Sequence, residues 1–344
     1  MRNQNLIILT ALLFFSGYLF GQSGSSVSKV GTTAATFLEI GPGGVSNGMG
    51  NAFVSIANDA TALYWNVAGI ANMTQNQLSA VHTDWIGETN YDYAGLVLPL
   101  GSFGALGFSF TSLSTGDMKV TTVELPEGTG EYFNSQDIAV GLSYGRKLTE
   151  RFSIGVTAKY IQQKIWHMSA SALAIDAGTL FRTDLLGGMV IGASISNFGT
   201  KLTLAGRDAR KYYSVDVDKL GSNDQIPFNI DLDSWDIPMC FRIGVSTNAL
   251  KTDDMRLTVA VDALHPNDNY ESVNVGAEFS YLESFYIRGG FNSLFLKDSE
   301  GGLTLGVGIN TKMLFSSAEF TFDYAYRDFG RLNNVHTLSA GIRF

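Results

Sequence analysis

The chain has 344 residues, and with 23 basic against 32 acidic side chains its formal net charge is −9, which argues against a nucleic-acid partner because no basic excess exists to neutralise phosphates. Charged residues are only 16% of the total while Gly (38), Phe (23) and Tyr (14) are plentiful, so the chain can bury ample apolar surface and does not read as disordered. A single cysteine, Cys240, excludes an intrachain disulfide and a thiolate metal cage, and a mean hydropathy of +0.10 is too low for a bundle of membrane helices.

The first element in chain order is an export signal. Arg2 supplies a short basic region, and the run from Leu6 to Phe20 is apolar except for Thr10, Ser16 and Gly17. It is too short and wrongly flanked to span a membrane, so residues 1–21 read as a signal peptide with Gly21 before the cleavage point and Gln22 as the mature N-terminus. No cysteine follows, which excludes a lipid anchor of the usual bacterial kind.

Residues 22–75 show no strand periodicity. A Ser/Gly-rich start leads to Phe37-Leu-Glu-Ile-Gly-Pro-Gly-Gly, then to Gly48-Met-Gly50 and on to Asn58-Asp59-Ala-Thr-Ala-Leu-Tyr64-Trp65-Asn66-Val67-Ala-Gly69. The last stretch reads as a short helix that Asn58 or Asp59 caps and Gly69 ends. About fifty residues ahead of a closed barrel cannot join its sheet, so this segment is expected to enter the lumen as a plug. Trp65 and Tyr64 read first as packing anchors.

From residue 76 onward alternation takes over. In the stretch Phe152 to Tyr160, Phe152, Ile154, Val156, Ala158 and Tyr160 form one set, and Ser153, Gly155, Thr157 and Lys159 the other. About fourteen such segments of about ten residues follow one another, the length a tilted membrane strand requires. A soluble sandwich would turn Lys and Glu outward on its polar face. Here that set is mostly Gly, Ser, Thr and Asn with isolated charges (Lys159, Asp176, Asp262, Glu278, Arg288, Asp323, Arg343), which suits a confined lumen. The expectation is an all-β protein: a transmembrane antiparallel barrel of about 14 strands over 76–344, set in outer-membrane lipid, with an N-terminal plug. The loops agree, because those after even-numbered segments are short whereas the two longest, around 113–136 and 198–238, follow odd ones, as periplasmic turns and outer loops do.

The loop at 198–238 is the richest in polar chemistry. Arg207, Arg210, Lys211, Tyr212 and Tyr213 precede a run of aspartates, and this aromatic and charged mixture suits recognition of a protein partner. Asp216-Val-Asp218 begins like a calcium loop, but Leu220 fills the next ligand position. The chain closes on Phe344, the terminal aromatic general to outer-membrane barrels.

At these residues a resemblance emerges. The run from Gly48 to Gly69 resembles the N-terminal signature of PorV/PorQ-type outer-membrane proteins, whose Asn-Pro-Ala-Gly core is shared by FadL-like transporters of hydrophobic compounds. The run Phe322 to Leu332 and the closing Ile342-Arg-Phe344 resemble the same family's last hairpin. Val67 stands where the family usually has Pro, so the local plug geometry is expected to differ. The resemblance implies an outer-membrane barrel of Bacteroidetes-like bacteria, often linked to type IX secretion.

No enzyme is expected. Gly141-Leu-Ser143-Tyr-Gly145 matches the nucleophile-elbow pattern, but that motif needs a strand–turn–helix setting and these residues lie in an alternating strand. The Gly41 to Gly50 cluster holds no dinucleotide fingerprint, and His82, His167, His265 and His336 are scattered, so no cofactor or metal is expected. Two functions from different classes remain, a secretion component that holds exported cargo proteins or a machinery subunit through its loops and lateral face, or a FadL-like transporter whose plug gates hydrophobic small molecules, with an accessory structural barrel without transport as a third, blander reading. A lumen set poor in bulky apolar members favours the first.

Overall fold

The computed structural model describes residues 29–213, 225–296, 299–311 and 318–344. The signal segment and Asp216, Asp218, Leu220 and Asp224 therefore lie outside the described residues. Fourteen strands form the wall: β1 (Gln77–Trp85), β2 (Thr89–Pro99), β3 (Ala105–Thr115), β4 (Ser135–Lys147), β5 (Phe152–Ile165), β6 (Met168–Arg182) and β7 (Val190–Gly199). The second seven are β8 (Cys240–Lys251), β9 (Met255–Pro266), β10 (Ser272–Tyr281), β11 (Phe285–Leu294), β12 (Leu303–Asn310), β13 (Glu319–Asp328) and β14 (Asn334–Arg343). Each pairs antiparallel with the next, and β14 closes on β1 from Gln77↔Arg343 to Asp84↔His336. Closure leaves no edge strand, which is what lets a sheet cross lipid with its backbone groups satisfied.

Alternation converts directly into inside and outside. Along β5, Ser153, Gly155, Thr157, Lys159 and Ile161 are buried toward the lumen while Val156, Ala158 and Tyr160 are exposed on the wall. Asn76 and Phe344 exchange both backbone hydrogen bonds, at 3.0 and 3.1 Å, so the chain end and the start of β1 share one rim. That rim also carries the short connections after even-numbered strands. The opposite, outer rim carries 116–134 and 200–239. Each long loop contains a small hairpin of its own, Met118–Lys119 with Tyr132–Phe133 and Arg210–Tyr213 with Ile226–Asn229.

Residues 33–73 thread the lumen from the outer rim to the inner one. Ala34 N–H bonds to Asp236 O at the outer loop, and Ala35 N–H to Gln163 Oε1 near the outer end of β5. Further along are Gly44–Gly48, an α-helical turn facing β12 and β13, then Ala62–Trp65, and finally the 3-10 segment Val67–Asn72. The helix expected from Asn58 to Gly69 is thus two pieces. Its break falls at Asn66, whose extended backbone and side-chain oxygen cap the second piece, and Gly69 lies inside that piece rather than ending it.

The plug and the outer cavity as a candidate functional site

The plug is fastened by buried polar contacts to the wall. Asp262 on β9, fully buried, accepts the backbone N–H groups of Phe53 and Val54 through Oδ2 at 2.7 and 2.8 Å. Asn66 Nδ2 donates to Val54 O at 2.9 Å and to Thr179 O on β6 at 3.0 Å, while its Oδ1 receives Ala68 N–H. Asn47 donates to Thr337 on β14 at 3.1 Å, and Trp65 Nε1–H to Pro42 O at 3.0 Å. The cap expected of Asn58 or Asp59 is not formed: the helix starts behind Thr61 with no side-chain cap, Asp59 Oδ1 accepts the Thr61 N–H at 2.8 Å in the turn ahead of it, and Asn58 is exposed at the inner mouth. Val67 occupies the first position of its 3-10 turn, where a missing N–H is tolerated, so this turn is one that Pro would also fit.

Backbone meets backbone where wall glycines face plug residues. Gly50, at φ +64°, sits against Gly290 and the Val275 carbonyl; a Cβ on either glycine would collide with the other segment's main chain. Gly48 faces the Gly306 Cα in the same way, and a side chain on Gly69 would strike the Ala57 carbonyl. The small lumen residues are therefore the complement of a close-packed insert rather than the lining of a passage.

Several charges in the lumen are paired. Lys159 contacts Asp176 at 2.6 Å and Asn197 at 2.9 Å. Arg288 donates to Glu278 and Asp323, each at 2.7 Å, and Arg256 reaches Glu278 at 3.1 Å and Glu283 at 2.7 Å. In a buried setting such pairs are costly to break from one side, about 3–5 kcal/mol.

Above the plug lies a cavity of about 780 Å³ opening to the outer rim. Its floor includes Glu39, Tyr64 and Trp65, and its walls Trp85, Arg242, Arg327 and Phe329. Arg242 stacks over the rings of Tyr64 (5.6 Å) and Trp65 (5.9 Å). Confinement and then the neighbouring Asp268 push the Glu39 carboxyl up to about 7; Glu39 stays open to the cavity, so solvent tempers that shift. Beneath the plug a second cavity, about 410 Å³, is lined by Asn58, Asn72, Arg182 and Arg343 among others. The two share no lining residue.

Sequence reasoning missed two features. The upper lumen is more apolar than alternation indicated, because Val81, Tyr91, Tyr93 and Ile161 turn inward and bury Phe37, Leu38 and Ile40 of the plug. On the wall's outer face, Ala80 pairs across strands with both Ala94 and Ala340 and floors a groove of about 700 Å³ flanked by Phe110, Phe322 and Leu338. Polar side chains cap this groove: His82 Nδ1 to Asp92 at 2.7 Å, and Tyr324 OH to His336 Nδ1 at 2.8 Å. Period-two breaks of this kind are visible in the sequence as His82, Asp84 and Asp92 in the lipid-facing set.

The remaining candidates separate. Tyr212 and Tyr213 share the exposed loop hairpin with Arg210, Tyr213 meeting Phe228 edge-on, whereas Arg207 turns back to His167. Phe344 is half-exposed at the inner rim. Ser143 lies mid-strand in β4 with its hydroxyl 2.7 Å from Thr157 Oγ1, not on a strand-to-helix turn.

Comparison with known proteins bears on the whole. The fold matches the Pseudomonas putida toluene transporter TodX with a TM-score of 0.54 at 12% identity, covering 88% of this chain and 97% of that one. The Ralstonia pickettii toluene transporter TbuX gives 0.51 at 13% identity, over 88% and 97%, and a Pseudomonas aeruginosa FadL homologue 0.50 at 12%, over 88% and 98%. No curated protein matches at a significant level. The profile of the type IX secretion system protein PorV matches residues 23–233, more than half of the chain. With a closed 14-strand barrel, a threaded plug and that match, the chain belongs to the PorV family and is a FadL-like barrel of the bacterial outer membrane.

Proposed function

We propose that this barrel serves type IX secretion by holding exported proteins at the outer face of the outer membrane. The observation that carries this reading is the polarity of the lumen. The plug is pinned to the wall by Asp262, Asn66 and Asn47 and leaves the smaller cavity beneath it, whereas the outer part holds the larger cavity and is crowned by the two longest loops. Cargo would engage the cavity mouth and the exposed Arg210, Tyr212 and Tyr213. The outer-face groove with its His82–Asp92 rim suits a membrane-embedded subunit, since ionisable side chains are costly against lipid and less so against a protein surface.

Uptake of hydrophobic small molecules is the second reading, favoured by the cavity itself and by the fold shared with toluene transporters. Loss of the protein separates the two. A secretion role predicts that particular exported proteins stay unprocessed or trapped in the periplasm, and that shortening the 200–239 loop reproduces part of that defect at normal barrel abundance. Normal secretion with lost uptake of hydrophobic compounds would reverse the assignment.

A further inference from the structure

The cavity of about 410 Å³ beneath the plug is built from the inner ends of several strands. Arg182 closes β6, Arg256 stands near the start of β9 and Arg343 closes β14, so arginines from well-separated strands converge on one mouth. Among the described residues no aspartate or glutamate lines it, although the chain as a whole carries a net charge of −9. The three cations are not equally committed. Arg256 is held by Glu278 and Glu283, and Arg343 meets Glu319 only at 3.6 Å, beyond hydrogen-bond reach. Arg182 is exposed and makes no ion pair or side-chain hydrogen bond among the described residues. Two neutral side chains share this condition. Gln77 is 8% and Ser246 5% exposed, both line the cavity, and neither side chain bonds to a described residue. Their polar atoms are open to the cavity rather than sealed in the wall, so whatever fills the cavity completes them.

We propose that this inner mouth binds an acidic, extended segment of a periplasmic protein, with Arg182 and Arg343 taking a carboxylate side chain and Gln77 and Ser246 the backbone beside it. The site is independent of what the outer cavity holds, since the plug lies between the two and they share no lining residue. Three features choose the ligand. A planar guanidinium offers a fork of donors and no acceptor, which matches a carboxylate. An amide both donates and accepts, as a peptide group requires, and Asn58 adds another at the rim. The volume admits a few residues of extended chain and no folded domain, and no aromatic ring lines it on which a nucleotide base could stack. An isolated positive mouth on a negatively charged chain also steers an acidic partner to this face. Such a contact holds the barrel to its partner without moving the plug, because the Asp262 and Asn47 struts lie outside the cavity lining.

The test uses the full-length protein in nonionic detergent micelles at low salt, with fluorescence anisotropy as the readout. The probes are a labelled hexapeptide with two internal glutamates and both ends capped, its twin with glutamines, inorganic phosphate, and a soluble peptidoglycan fragment. The glutamate peptide should bind saturably and at least about tenfold more tightly than its twin, and added salt should weaken it. Arg182→Gln should remove most of that preference and Arg182→Lys should keep part of it, while Lys119→Gln on an outer loop should leave it unchanged. Heat-modifiable gel migration verifies that each variant folds. Gln77→Leu should weaken both peptides by a similar factor, because it removes a backbone contact and no charge. Equal binding of the twins, an unchanged preference in Arg182→Gln, or an equal loss in Lys119→Gln would overturn the proposal. Phosphate displacing the peptide at matched concentration would overturn it in favour of a small anion, and tighter binding of the peptidoglycan fragment in favour of the cell wall.

Discussion

Below the level of Trp65 the plug packs against the wall and leaves about 410 Å³ at the inner mouth, whereas above it the same wall encloses about 780 Å³ of open space. In the lower part glycines bring backbone against backbone, Asp262 and Asn66 satisfy the plug's main chain, and Arg288, Arg256 and Lys159 all hold carboxylates. In the upper part Arg327 has none among the described residues, and Glu39 is open to a confined cavity. Local consistency in one region and unresolved polarity in the other is the pattern expected when one part of a molecule is built for stability and the other for a ligand.

The contrast breaks most visibly at Asp262. Replacing it with Ala leaves the Phe53 and Val54 N–H groups buried without their acceptor, at about 1–3 kcal/mol for each unsatisfied donor. Residues 37–73 should then become accessible to protease at temperatures where the native barrel resists, and unchanged protection would refute the strut role.

The wall gives the next largest effect. Val156→Arg places a cation on the lipid face and should cost about 2–4 kcal/mol in a refolding titration. Thr157→Arg, one residue away, points into the filled lower lumen where Thr157 is bonded to Ser143, so overpacking should cost a comparable amount, about 1–3 kcal/mol. A barrel with an open water-filled centre would tolerate the second change freely.

Smaller effects sharpen the account. Val67→Pro should be neutral or stabilise by about 0.4–1 kcal/mol, because the first position of the turn accepts Pro and the unfolded chain loses freedom. In the upper part, Glu39 binds its proton more tightly in the folded state than its ordinary value of 4.5 allows, so this group's contribution to stability declines as pH rises from about 4.5 to about 7. Glu39→Gln should flatten that part of the pH–stability curve; an unaltered curve would show that the carboxyl titrates normally.

Much of this was legible in the chain. Strand alternation specified the barrel because a one-residue slip would turn Thr157 and Lys159 into lipid, and the turn residues after even strands set the rims. The resemblance at Gly48 to Gly69 marked the plug. What alternation could not convey is which plug residue meets which strand. The break at Asn66 depends on Thr179, more than a hundred residues away, and a local propensity argument sees only a helix former such as Ala62 on one side and Gly69 on the other. The isolation of Arg327 was equally invisible, since a cation in the lumen set looks the same whether or not the fold brings a carboxylate to it.

The central claim is that the plug is a fixed floor and the outer cavity the working part. Asn47 and Thr337, bonded at 3.1 Å between plug and β14, allow that to be tested by replacing both with Cys in a Cys240→Ser background and oxidising the pair in living cells. The account predicts that exported proteins are held and released at the unmodified rate with the plug locked. Secretion that stops on oxidation and recovers on reduction would contradict it, because the plug would then have to move.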